Sequence, residues 1–107
     1  MRRVLPQSFP DEILLETPHI LGQSIRAART QSGLTLAEAA LANGISTQTM
    51  QRLETDPSTV GFGLLLQVAR MMGVSLFAVP AASQNIAHKT LKAAIQVVNE
   101  AQSNHAA

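Results

Sequence analysis

Thr47, Gln48, Gln51 and Arg52 bring amides, a hydroxyl and a guanidinium together within six residues. A glutamine amide can pair with adenine through N6 and N7, and a guanidinium with guanine through O6 and N7, so these groups have the chemistry to read base edges in a major groove. On a helix, at about 100° per residue, Gln51, Thr55, Gln48 and Arg52 fall within about 140° of Thr47 on one side, with Thr49 at the border. Met50 and Leu53 fall on the opposite side as core plugs. Any surface helix has a polar face; this one is set apart by carrying no acid. The single carboxylate of the stretch, Glu54, falls beside Met50, and a surface that approaches phosphates must avoid negative charge.

The elements around this stretch can be placed by their punctuation. Thr17 and Pro18 form a helix start, a hydroxyl at the N-cap followed by proline where no donor is needed. Ile20, Leu21, Ile25 and Ala28 recur at helical spacing until Gly33, which predicts a first helix over about 18–32. Thr35 and Glu38 fit a capping box, and the Ala-rich stretch to Ala42 is a short second helix ended by Asn43 and Gly44. Ser46 caps a third helix running to about Thr55, before Asp56, Pro57 and Ser58 break the chain. Two short helices joined by a glycine turn, with a longer helix before and another after, are the pattern of a helix-turn-helix.

Gly61 to Met72 predicts a fourth helix with Phe62, Leu65, Leu66, Ala69 and Met72 along one face. Residues 74–79 are β-prone but apolar on both faces, and Pro80 ends the run. A strand covered on both sides or shared with a second subunit is the favoured expectation, and a short fifth helix is the alternative. Residues 83–107 predict a final helix whose Ala87, Leu91, Ala94, Val98 and Ala101 repeat at three and four. That stripe fits internal packing, a dimer seam or a docking face for another protein. Residues 1–17 are expected to form an arm with one docked turn around Ile13, Leu14 and Leu15, leaving 18–82 as the central domain.

At 107 residues, of which 46% are hydrophobic, the chain is one domain's worth and two large domains are excluded. Charged residues make up only 14% and the formal net charge is +1. Within 18–82, Arg26, Arg29, Arg52 and Arg70 face Glu38, Glu54 and Asp56, again a net of +1. The absence of cysteine excludes disulfides, a Cys-based zinc site and a thiol nucleophile. Arg2 and Arg3 open the chain, but Pro6, Pro10, Asp11 and Glu12 interrupt any signal sequence. No apolar run is long enough to span a membrane, and a cytoplasmic protein is expected. Enzymatic patterns are missing: His19, His88 and His105 lack ligand spacing, and Gly61, Phe62 and Gly63 lack the third glycine of a nucleotide fingerprint. Neither cofactor nor metal is expected.

The run from Leu21 to Val79 resembles the Xre/Cro-type helix-turn-helix family. The resemblance rests on Arg29, Gly33 to Thr35, Ala40, Gly44 to Ser46, Leu53 and Glu54, and Leu65 through Gly73 to Ser75. It implies an all-α, lambda-repressor-like bundle of four to five helices, with a recognition helix over about 46–55, a short dimerising strand and an extra C-terminal helix. Carried over from the family, base contacts fall on Ser46, Thr47, Gln48, Gln51 and Arg52, and phosphate contacts on Thr35, Ser58 and Thr59. Arg29 and Glu54 take the positions of a buried ion pair. Leu36 departs from the family, where a glutamine commonly reaches a phosphate, and Asn43 stands where an apolar residue is common.

Within that family the stretch Glu54 to Phe62, followed by Leu64 to Val68 and by 74–79, is most similar to HipB-type antitoxins. That resemblance implies a homodimer paired through Val74, Leu76, Phe77 and Val79. It further implies repression of a toxin–antitoxin operon at a palindromic site on double-stranded DNA and binding of a HipA-like serine/threonine kinase. An Xre-type regulator without a kinase partner, and the DNA-binding member of a kinase system neutralised by a separate protein, are the alternatives.

Overall fold

The computed structural model describes residues 4–106. Met1, Arg2, Arg3 and Ala107 lie outside the described residues, as do the side chains of residues 104–106, and with them the expectation for His105. Five α-helices form: α1 (Pro18–Gln31), α2 (Leu36–Ala42), α3 (Thr47–Thr55), α4 (Phe62–Met71) and α5 (Gln84–Ala106). Single 3-10 turns at Pro57–Thr59 and Ala81–Ser83 precede α4 and α5.

Each helix end has a local cause. Thr35 Oγ1 accepts the Glu38 amide at 3.1 Å while the Glu38 carboxylate accepts the Thr35 amide at 2.8 Å, a complete capping box. Thr17 differs from expectation: its backbone is extended, but its hydroxyl makes no cap. The amide it would have taken, that of Ile20, donates instead to the Thr17 carbonyl at 3.3 Å. The turn between α2 and α3 is made by Gly44 at φ 67°. There the Ile45 amide reaches back to the Ala40 carbonyl and the Gly44 amide to that of Leu41, a Schellman ending. Asn43 stays right-handed at φ −96°; it turns inward, and its Nδ2 donates to the Ala39 carbonyl at 2.8 Å. The ends of α1 and α4 close in the same way, at Gly33 and Gly73.

Leu21, Ile25, Ala39, Ala40, Met50, Leu53, Leu65, Val68 and Ala69 form one buried core shared by α1 to α4. Leu36 packs against this core. The approach of α1 to α3 depends on Gly22, where an added Cβ would lie 2.8 Å from the carbonyl oxygens of both Leu53 and Glu54.

Two further expectations are corrected by the fold. Residues 74–79 form neither strand nor helix, and no strand occurs among the described residues. A strand exists only as a member of a hydrogen-bonded ladder, and among the described residues the segment has no ladder partner. Its two apolar faces are nevertheless distinct: Val74 and Leu76 pack on the chain's own core, while Phe77 is 70% and Val79 49% exposed.

The arm is anchored at more points than one docked turn. The Gln7 amide donates to Thr30 Oγ1 at 2.9 Å and Gln31 Nε2 donates to the Gln7 carbonyl at 2.8 Å, fixing the arm on α1. Asn99 of α5 accepts the Phe9 amide at 2.9 Å and donates to the Phe9 carbonyl at 3.1 Å. The arm therefore ties α5 to the bundle. An open groove of about 920 Å³ runs between the arm, residues 73–79 and α5, and its walls include Ile13, Leu15, Leu76, Leu91 and Ile95. No helix among the described residues is long and apolar enough to cross a membrane.

Candidate nucleic-acid interface

The candidate interface is built on α3, whose orientation is set from within. Met50 and Leu53 are fully buried and turn the remaining positions outward. Glu54 is turned inward with them. Arg29 Nε donates to Glu54 Oε2 at 2.6 Å and Arg29 Nη2 to Glu54 Oε1 at 3.0 Å, while Nη1 reaches the Leu34 carbonyl at 2.7 Å. The carboxylate of α3 is thus removed from its surface and neutralised by a bidentate guanidinium, the geometry that suits arginine and carboxylate best.

On the outer face Ser46, Thr47, Gln48, Gln51, Arg52 and Thr55 are all exposed, and Thr49 is half-buried. The side chains of Gln48, Gln51 and Arg52 make no hydrogen bond within the described residues, so their donors and acceptors are available to a ligand. Thr55 is less available, because its hydroxyl donates to the Gln51 carbonyl at 2.9 Å. Ser46 caps the helix, its Oγ accepting the Thr49 amide at 3.0 Å.

The three hydroxyls assigned to phosphates differ in what they can offer. Thr35 Oγ1 accepts within its capping box and keeps its proton, so it can still donate outward. Ser58 donates to the Asp56 carboxylate at 2.9 Å and Thr59 to the Asp56 carbonyl at 2.9 Å. Both of those protons are taken by Asp56, itself an exposed acid. Leu36 is half-buried and offers no polar group, as its type requires.

The spatial order is therefore α2, a glycine turn, and α3 with an acid-free outer face held by the core and an ion pair. A helix-turn-helix family model matches residues 25–79, from the middle of α1 to the end of the segment after α4 and just over half of the 107 residues. The chain belongs to the helix-turn-helix family. Its members are DNA-binding regulators that recognise specific sequences, and α2 and α3 stand where the motif places its pair of helices, the second entering the major groove. No curated protein matches the chain.

The helix-turn-helix frame also shows what residue types alone did not reveal. Gly22 is missed because its role is a close approach to another helix, and Gln7, Phe9 and Asn99 because their bonds join residues distant in sequence. Leu41, 83% exposed on α2, is another feature without a sequence signal. Among the described residues no group of three His, Asp or Glu is placed to hold a metal ion.

Proposed function

We propose that this helix-turn-helix protein is a homodimeric transcriptional repressor that reads a palindromic operator on double-stranded DNA through α3. The observation that carries the proposal is the outer face of α3: Thr47, Gln48, Gln51 and Arg52 are exposed while Glu54 is buried against Arg29. Ser46 and Thr47 lie at the helix start, which meets the bases first in this motif. Thr35 donates to a phosphate, with Ser58 and Thr59 following only if their hydroxyls turn away from Asp56.

The dimer forms through residues 74–79. The amides of 75–79 take no backbone partner within the described residues, and Phe77 and Val79 are exposed beside the inward Val74 and Leu76. Pairing of this segment with its twin would satisfy the amides and cover the apolar side chains together. Two α3 helices then enter successive major grooves about 34 Å apart. Light scattering tests this: the wild type should have twice the chain mass, and Phe77→Asp should be monomeric with much weaker operator binding. A monomeric wild type refutes the dimer.

The similarity to HipB-type antitoxins extends the proposal to autoregulation of a toxin–antitoxin operon in the cytoplasm, at the nucleoid, and to binding of a HipA-like kinase. The arm and α5 lie outside the matched residues 25–79 and supply surface that DNA recognition does not need. Co-purification with the product of an adjacent kinase gene tests this part. If no complex forms, the protein is a regulator without a kinase partner. If a complex forms without inhibition of the kinase, neutralisation belongs to a separate protein.

A further inference from the structure

The start of α3 holds two hydroxyls in direct contact. Ser46 Oγ and Thr49 Oγ1 lie 2.8 Å apart, and Ser46 Oγ also accepts the Thr49 amide at 3.0 Å. A hydroxyl has one proton and two lone pairs. One lone pair of Ser46 is taken by the Thr49 amide, and accepting that bond polarises the Ser46 O–H and strengthens it as a donor. The proton accordingly goes to Thr49 Oγ1. What remains on the exposed Ser46 oxygen is a single lone pair.

We infer that Thr49 is a positioning residue that makes Ser46 an acceptor-only probe of the major groove, selecting an amino group over a keto group at one base position. This rests on the reading of α3 as the base-reading helix. In that groove adenine N6 and cytosine N4 donate, whereas guanine O6 and thymine O4 accept. A free serine hydroxyl rotates to suit any of them. Ser46, with its proton committed to Thr49, discriminates adenine and cytosine from guanine and thymine on the strand it faces. Thr49 acts through Ser46 and needs no base contact of its own.

Thr49→Val is close to isosteric and keeps the backbone amide that caps on Ser46, but it removes the hydroxyl that receives the Ser46 proton. Ser46 can then donate or accept. Thr49→Ser restores the receiving oxygen. The experiment is selection of randomised DNA duplexes by the wild-type protein, Thr49→Val, Thr49→Ser and Ser46→Ala, followed by sequencing and by thermal melting of each variant.

Ser46→Ala locates the position by erasing its preference. The wild type should prefer adenine or cytosine there by about fivefold, the size of one net hydrogen bond. Thr49→Val should reduce that preference to near one with the rest of the motif and the melting temperature kept, and Thr49→Ser should restore it. Three results would overturn the inference alone: a guanine or thymine preference at that position, a wild-type motif unchanged by Thr49→Val, or a motif in which Ser46→Ala alters no position. A wild type that enriches no motif at all overturns the base-reading role of α3, and this inference with it.

Discussion

Arg29 and Glu54 meet through two hydrogen bonds, at 2.6 and 3.0 Å, with both side chains almost fully buried. The pair joins α1 to the last turn of α3 and lets α3 carry a carboxylate that its outer face does not expose. The third guanidinium nitrogen reaches the Leu34 carbonyl in the turn after α1. One arginine thereby fixes α3, α1 and the turn between α1 and α2.

Removing the arginine leaves a buried carboxylate without its counter-charge. Arg29→Met should cost about 3–5 kcal/mol, a large part of a small domain's total stability of about 5–15 kcal/mol. Arg29→Met combined with Glu54→Leu should recover most of the loss, because an apolar pair leaves nothing uncompensated. Urea unfolding of both variants measures this. A single variant within about 1 kcal/mol of wild type would show that the pair does not hold α3.

Gly22 should be intolerant of even one methyl group. Alanine there would push Cβ to 2.8 Å from the carbonyl oxygens of Leu53 and Glu54, and overpacking of this kind costs about 1–3 kcal/mol, more than the helix propensity gained. Gly63 provides the contrast, since an added Cβ meets nothing within 4 Å. Thermal unfolding should show Gly22→Ala less stable than wild type and Gly63→Ala equal to it or more stable by up to about 1 kcal/mol. The opposite order would mean that α1 and α3 are not in close contact.

Asn99 should control the arm without touching DNA recognition. It makes both bonds to the Phe9 backbone, so Asn99→Ala should expose the Phe9 amide to solvent exchange. The Gln7 amide, bonded to Thr30, should stay protected. Amide exchange followed by NMR distinguishes the two sites. An unchanged Phe9 amide would rule out this anchor.

What could be read from residue types was local. Thr35 and Glu38 predict a capping box that forms, Gly33, Gly44 and Gly73 stand where the chain takes positive φ, and Met50 and Leu53 turn inward as their spacing requires. Where competing groups decide the outcome, the sequence is a weaker guide. Thr17 is a suitable cap whose target amide is taken by a carbonyl, and Asn43 tolerates a left-handed backbone but buries its amide instead. Residues 74–79 have strand-forming side chains and no ladder partner among the described residues. On α3 and in the turn after it, residue types indicate which groups are exposed, but not that the protons of Ser58 and Thr59 are already committed to Asp56.

The proposed base-reading role of α3 rests on its outer face, and the affinity of Gln48→Ala and Arg52→Ala for the selected operator tests that role most directly. Each substitution removes a side chain able to pair with a base, so each should cost about 1–3 kcal/mol and relax the preference at one position per half-site, while melting temperature stays the same. Gln48→Ala should leave binding to unrelated DNA unchanged. If both variants bind the operator as tightly and as selectively as wild type, α3 is not the helix that reads DNA.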